Sequence, residues 1–395
     1  MKNINSINNL MSKCTGCVAC IDVCPTNCIF VKYDNAGFRY SEIDNSKCIQ
    51  CGKCYNVCPI ENKRQELSQQ HLFATYAKDE EIQKRGSSGG MFELIATYCI
   101  KKGYFVCGAA FENMILKHKI VNDLDKLKDL LKSKYIQSDT CTIFDEVLKL
   151  LKNDSKVLFC GTPCQVSAMK NFVPTNLRQN LILIDIICHG VPSQKIFDMY
   201  IETLEEKYNG KIIEYSFRVK DNKYKHAHGY SFKLKKKNNK VKTINGIYTQ
   251  STFYNAFKRY EIFRESCYDC KYTTLSRVSD ITLADFWGIE KYEFKGNVDS
   301  GVSMVIVNSE IGEKVFESIK DFIEYKEFPL DYGVESNYCL TNSTKKPLKR
   351  DEIINSIEKK GYNYSANKYF KSGLIAKIYW LIPSKIRTKI RKMRG

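Results

Sequence analysis

No stretch of this chain approaches the ~20 consecutive apolar residues that a membrane-spanning helix needs, which excludes an integral helical membrane protein. The first residues, Met1-Lys-Asn-Ile-Asn-Ser, have no apolar core that could serve as a secretory signal, so the expected location is the cytoplasm. Acidic residues are missing from the end of the chain, where Lys359 to Gly395 holds 11 basic side chains and no acidic one. The formal charge of the whole chain is +18, so the first 358 residues carry only +7. A body this close to balance argues against a nucleic-acid-binding core. No internal repeat is visible beyond one pair of cysteine motifs. What remains is the composition of a globular protein, 43% hydrophobic and 27% charged over 395 residues, enough for two or three domains.

Cysteine is the residue present in excess. There are 18, and nine of them precede residue 63. A chain this long in a reducing compartment has no need of disulfides, so C-x2-C frameworks point to metal thiolates. Cys14, Cys17, Cys20 and Cys24 form C-x2-C-x2-C-x3-C-P, and Cys48, Cys51, Cys54 and Cys58 repeat the same spacing. Thiolates at i, i+3 and i+6 let one tight loop wrap three corners of a [4Fe-4S] cube. Gly16 and Gly52 relieve crowding, and Pro25 and Pro59 fix the exit. In two-cluster ferredoxins the fourth Cys ligates the other cluster. The expected sets are therefore Cys14, Cys17, Cys20 and Cys58, and Cys48, Cys51, Cys54 and Cys24. Tetrahedral zinc is the alternative, but zinc sites rarely use three cysteines at successive x2 spacing. Cys28 reads as a small buried side chain.

Residues 61–71 are polar and read as a linker, after which the pattern becomes α/β. Helices are predicted over Phe92–Lys102 (stopped by Gly103), Leu124–Leu131, Phe144–Leu151, Gln165–Phe172, Ser193–Tyr208 and Thr252–Glu265. Apolar runs at 156–160 and 181–187 predict buried parallel strands. Tyr104–Ala110, Ile281–Ala284 and Val302–Val307 read as strands, and Ile212–Val219 with Tyr230–Lys235 as a strand pair. The fold class expected is an α+β ferredoxin-like two-cluster domain followed by an α/β domain with a mostly parallel or mixed sheet.

Ligands in α/β sheets collect at the carboxyl ends of strands. Cys160 and Cys164 frame a turn at one such end, Cys188 lies at the next, and Cys267 and Cys270 form a C-x2-C. Spacing alone leaves two readings open, a third cluster, or buried inert cysteines with a partial zinc site.

Six segments occur in an order that resembles a known family. They are Arg85-Gly-Ser-Ser-Gly-Gly-Met-Phe, Ser133-Lys-Tyr-Ile-Gln-Ser, Gly161-Thr-Pro-Cys-Gln, Cys188-His-Gly-Val-Pro-Ser, Cys267-x2-Cys270 and Ser279-Asp-Ile-Thr-Leu-Ala-Asp-Phe-Trp-Gly. The chain is similar to the coenzyme F420 hydrogenase/dehydrogenase beta-subunit family, in the bacterial branch with a ferredoxin domain in front. The resemblance implies FAD and an adjacent [4Fe-4S] cluster held by Cys164, Cys188, Cys267 and Cys270, with Cys160 a bystander. It also implies electron flow from the ferredoxin clusters through the third cluster to FAD and a small-molecule substrate. Bacterial relatives occur beside polysaccharide-synthesis enzymes, which suggests a cell-surface sugar intermediate. An F420-dependent dehydrogenase and a non-catalytic electron-transfer subunit are the alternatives, and a ferredoxin or a dehydrogenase is the expected redox partner.

Within that resemblance Ser87, Ser88, Gly89 and Gly90 open a helix where glycines allow a diphosphate to approach free backbone N–H groups, although an ordinary Ser N-cap has the same appearance. Ser133, Lys134, Tyr135 and Gln137 would supply hydrogen bonds, a phosphate charge and a stacking ring. Thr162, Pro163 and Gln165 would hold flavin and cluster side by side. Asp285 reads either as a buried carboxylate with a bound partner or as a turn cap. Arg218 and Lys220 read as contacts to an anionic substrate or as a solvated strand face, and His226 and His228 as exposed residues of a polar loop or as proton donors. No catalytic acid or base is assigned.

Over 371–395 an apolar stripe including Ile386, Ile390 and Met393 opposes a basic face, suited either to an anionic membrane leaflet or to docking on its own domain. The expected organisation is a ferredoxin domain over 1–62, an oxidoreductase domain over 72–330 (halves 72–152 and 153–330), and an extension with a basic tail over 331–395.

Overall fold

A computed structural model describes residues 12–62, 70–221, 224–294, 296–373 and Ile382; for residues 221 and 224–228 only the backbone is described. The tail from 374 onward apart from Ile382, most of the polar linker (63–69), and the side chains of His226 and His228 therefore lie outside the described residues.

The N-terminal unit is small because its cysteine loops take the place of regular structure. Short helices Ala19–Asp22 and Lys53–Val57 follow the two C-x2-C-x2-C loops, and β1 (Ile29–Tyr33) pairs antiparallel with β2 (Arg39–Ile43). Gly16 and Gly52 hold equivalent places in the two loops, with φ of 65° and 73°. A side chain at Gly16 would also collide with the Arg264 guanidinium.

The second unit is built on an eight-stranded mixed sheet. Its strands are β3 (His71–Ala77), β4 (Tyr104–Glu112), β5 (Ile115–Val121), β6 (Lys156–Gly161), β7 (Leu181–Ile186), β11 (Ile281–Asp285), β12 (Ser303–Val307) and β13 (Ile323–Phe328), in the order β13-β3-β12-β11-β7-β6-β4-β5. The central pairs β4/β6, β6/β7 and β7/β11 are parallel, while β5, β12 and β13 run antiparallel to their neighbours. Val157, Leu158 and Phe159 are fully buried, as a strand covered on both faces requires. A separate three-stranded antiparallel sheet, β10-β9-β8, comprises β8 (Lys211–Asp221), β9 (Tyr224–Lys235) and β10 (Val241–Ile247).

Most predicted helices form within one or two residues of their expected bounds. Met91–Lys101 ends before Gly103 at φ 81°, and Pro163–Phe172 begins with Pro at its first position inside a Thr162/Gln165 capping box. Gln194–Tyr208 is capped by Ser193 Oγ, which accepts from Ile196 N at 3.2 Å. Two expectations need correction. The 124–131 helix is a short helix, Leu124–Leu127, continued by a 3-10 turn. The 252–265 helix stops at Lys258, because the chain turns through a left-handed Tyr260 (φ 63°) and sends Arg264 into the interior.

One hydrophobic core joins the two units. Ala19, Ile29, Ile43 and Val57 of the cysteine-rich unit pack in the same cluster as Phe144, Val166, Met169 and Phe172 from helices on the sheet. The opposite face is covered by Met91–Lys101 and Glu310–Ile319. The three-stranded sheet shares an aromatic core with Gln194–Tyr208 and Arg350–Ser365, including Tyr200, Phe217, Phe232, Phe253 and Phe370.

Candidate functional site

The thiols of the cysteine-rich unit lie in two neighbourhoods. Burial pushes the Cys20 thiol well above its usual range, with further contributions from Cys17, Cys14 and Cys58. Cys58 is pushed up to about 12 by burial, then by Cys17 and Cys14. Cys24, Cys48, Cys51 and Cys54 instead line a second, small cavity of about 20 Å³ together with Cys28, whose Sγ lies 3.4 Å from Cys24 Sγ. Among the described residues no three Cys, His, Asp or Glu side chains converge as they do around one ion. A four-iron cube holds its corner thiolates farther apart than a single zinc does. Buried thiols that also repel one another ionise only against positive charge, which iron supplies.

A cavity of about 620 Å³ opens at the carboxyl ends of β6, β7 and β11, walled on one side by β4 and β5. Ser87, Ser88 and Gly90 line it at the start of the Met91–Lys101 helix, and Ser133, Lys134, Tyr135 and Gln137 line the adjoining wall. Thr162, Pro163 and Gln165 complete the candidate flavin residues there. Gly89 faces the sheet instead: its N–H donates to Ser303 Oγ at 2.8 Å, and a side chain would strike the Thr75 carbonyl.

Several of these polar groups are already committed within the chain. Ser87 Oγ accepts from Ser133 N at 2.7 Å and Ser88 Oγ donates to Val302 O at 2.8 Å. Gln137 donates to Thr15 O at 2.8 Å and accepts from Arg264 Nε at 3.1 Å, so its amide holds the first cysteine loop. Gln165 accepts from Thr162 N at 3.0 Å and donates to Ser138 Oγ at 3.0 Å. Lys134 Nζ donates to Leu131 O at 2.8 Å, and desolvation in the cavity wall lowers its pKa to about 7. The Tyr135 ring packs on Phe257, Phe217 and Tyr254 with centroids 4.6–5.6 Å apart.

Cys164, Cys188, Cys267 and Cys270 line the same cavity. Pro163–Phe172 supplies the first in its opening turn, the chain leaving β7 supplies the second, and the turn after Arg264 supplies the last two. Burial raises the Cys188 thiol well above its usual range, followed by Cys267, Cys164 and Cys270. Cys164 is pushed up to about 12 by burial, and Cys17 of the first cysteine loop is among its other neighbours. Cys160 also lines the cavity, but the charges acting on it are Asp185 and Lys134 rather than the four thiols.

Two arginines that belong to none of the sequence motifs tie the cysteine loops to this wall. Arg264, 1% exposed, donates to Cys14 O at 2.9 Å and to Arg39 O, and lies over the rings of Tyr40 and Phe38. Arg39 donates to Gly16 O at 2.9 Å and pairs with Asp139. Thr140 Oγ1 donates to Cys17 O at 2.8 Å, and the Asp22 carboxylate accepts from Thr142 N and Phe144 N. Most of these partners lie far apart in sequence, so no local motif announces them.

In the cavity lining Arg218 and Asp285 form an ion pair at 2.6 Å, beneath the exposed Trp287. Of the readings for Asp285, the structure supports a carboxylate with a bound partner. Lys220 is half-buried and donates to Gln83 O at 2.6 Å and to Ser88 O, so it secures the loop before the Met91–Lys101 helix. His189, Tyr254 and Lys258 lie in the same wall.

Residues 154–331 match the family model for the C terminus of the coenzyme F420 hydrogenase/dehydrogenase beta subunit, and residues 13–62 match a 4Fe-4S dicluster domain. No curated protein matches. Among solved structures, a chain of the F420-reducing [NiFe] hydrogenase complex from Methanosarcina barkeri is similar at 14% identity and a TM-score of 0.42, over 77% of this chain and 92% of that one.

Proposed function

We propose that this chain, a 4Fe-4S dicluster domain joined to a coenzyme F420 hydrogenase/dehydrogenase beta-subunit domain, is an iron–sulfur flavoprotein oxidoreductase acting on a small molecule in the large cavity. One observation carries the reading: Cys164, Cys188, Cys267 and Cys270 line a single cavity with Ser87, Ser88, Gly90 and the Ser133–Gln137 segment, and Thr15 of the first cysteine loop lines it too. Four half-buried thiols lining one cavity fit a third [4Fe-4S] cluster, and the volume suits a nucleotide cofactor such as FAD. When bound, the clusters would supply one-electron chemistry and FAD the two-electron step.

The chain's own residues bind, orient and exclude water. Lys134 offers charge to a diphosphate, Tyr135 and Tyr254 contribute aromatic rings to the lining, and Lys258 adds positive charge there for an anionic substrate. Cys51 and the neighbouring Ile49 are exposed, which favours that end of the dicluster domain as the docking point for a ferredoxin or a dehydrogenase. The basic segment beyond residue 373 supports a location on an anionic leaflet, and a sugar intermediate of cell-surface polysaccharide synthesis is the substrate class proposed. Vesicles containing anionic lipid should retain the full chain and release one truncated after Gly373.

An anaerobic reductive titration tests the central reading. The full chain should take up about five electron equivalents, one per cluster and two for FAD. Uptake of about two, with no bleaching of a flavin band, would reduce the protein to a two-cluster carrier. The beta-subunit match favours a second reading, hydride exchange with coenzyme F420. Mixing that coenzyme with the reduced chain discriminates: loss of its absorbance supports exchange, and an unchanged spectrum leaves the sugar-directed reading.

A further inference from the structure

The cavity wall contains a buried acceptor with nothing to accept from. His118, on β5, is 6% exposed, stacks on Phe159 at 5.3 Å and lines the cavity. Its Nε2 lies 3.1 Å from the Cys160 carbonyl oxygen. A carbonyl only accepts, so the proton sits on Nε2, and Nδ1 presents a lone pair. That Nδ1 is buried and has no hydrogen-bond partner. Burial lowers the imidazole pKa to about 4, so the ring is neutral and keeps this tautomer at physiological pH.

A second acceptor in the same wall is in the same position. Glu93 is 9% exposed, and its Oε1 accepts from Arg85 Nη2 at 2.6 Å, while its Oε2 has no partner. Leaving such groups unsatisfied is unfavourable, so what fills the cavity should bring donors. A bare carboxylate has none to bring. A flavin nucleotide has both hydroxyls and a ring N–H.

Resting on the flavin reading above, we propose that His118 is a cofactor-binding residue whose Nδ1 accepts a hydrogen bond from a hydroxyl or ring N–H of FAD, with Glu93 Oε2 as a further acceptor for its hydroxyls. The two amide substitutions of His118 separate this role from a purely structural one. His118→Gln can still donate to the Cys160 carbonyl from the ε position but has no acceptor at the δ position. His118→Asn keeps the δ acceptor and gives up the tether.

The test is a titration of the full-length, anaerobically purified chain with FAD, following flavin fluorescence. His118→Gln should weaken binding about tenfold, the worth of one lost hydrogen bond, while His118→Asn should stay within about threefold of the unsubstituted chain. The reverse order would assign His118 to holding Cys160 and overturn the inference. Equal affinities in all three chains would mean that water satisfies Nδ1, and equal losses in both variants would mean a packing role; either result also overturns it. A readout without substitution is the 15N resonance of His118 Nδ1, which should move when FAD is added and must stay still if the inference is wrong. If the unsubstituted chain binds no FAD, the flavin reading itself fails, an outcome distinct from all of these.

Discussion

Single side chains in this protein divide into those whose chemistry is visible in the sequence and those whose partners are not. The cysteines belong to the first group, because i, i+3, i+6 spacing is a local property that needs no knowledge of the fold. Gln137 belongs to the second. Its type suggested a ligand contact, and only the fold shows its amide spent on Thr15 and Arg264. Lys134 makes a pH prediction at this scale. Its pKa is lowered from 10.5 to about 7 by burial, so the unfolded chain binds more protons than the folded one between those values. Relative to Lys134→Met, the flavin-free protein should therefore gain stability as pH rises from 7 toward 10, measured as the difference in urea midpoint. A diphosphate beside Lys134 would raise its pKa again, so FAD binding should take up a proton and weaken as pH rises above 7, which calorimetry in buffers of different ionisation enthalpy can check. Arg218→Met should destabilise the fold by about 3–5 kcal/mol by leaving the Asp285 carboxylate without its partner, whereas exposed pairs such as Lys32–Glu42 should contribute under about 1 kcal/mol. Denaturant titrations of Arg218→Met and Lys32→Met compare them directly.

At the level of elements, the interior strands β6 and β7 announced themselves as apolar runs, while the two edge strands did not. β5 alternates exposed Lys119 with buried His118, and β13 exposes Glu324, Lys326 and Glu327, as unpaired sheet edges require. Such segments read as loop until the neighbouring strand is known. The Thr252 helix was overextended for a related reason, since the interior place taken by Arg264 overrode helical periodicity. That arginine yields a prediction for the first cysteine loop. Arg264→Met removes a buried cation beside Cys14, so the cluster held by that loop should become harder to reduce, with a lower midpoint potential in an EPR-monitored titration. The other cluster of the dicluster domain serves as an internal control and should shift little. Asp22→Ala removes a cap that the cysteine-rich unit supplies to the Ile143–Lys152 helix, at an expected cost of about 0.5–2 kcal/mol in chemical denaturation.

For the whole molecule, the sequence divides into a cysteine-rich unit and an α/β unit, and that division is visible in composition alone. The shared core is not, because Ala19, Ile43 and Val57 look like ordinary apolar residues until they meet Phe144 and Phe172. A joint core implies joint stability. Removing iron with a chelator should lower the melting temperature of the entire chain in one cooperative calorimetric transition, rather than melt a separate N-terminal step. The same packing sets Cys17 close enough to Cys164 to act on its thiol, which makes a continuous path from the dicluster domain to the large cavity the central claim. Its most direct test is iron, acid-labile sulfide and flavin determined on one anaerobically purified sample. The sample should hold about twelve iron and twelve sulfide with one FAD per chain, falling to about eight iron in Cys188→Ser. About eight iron and no flavin in the unsubstituted chain would contradict it, leaving Cys164, Cys188, Cys267 and Cys270 as thiols without a cluster.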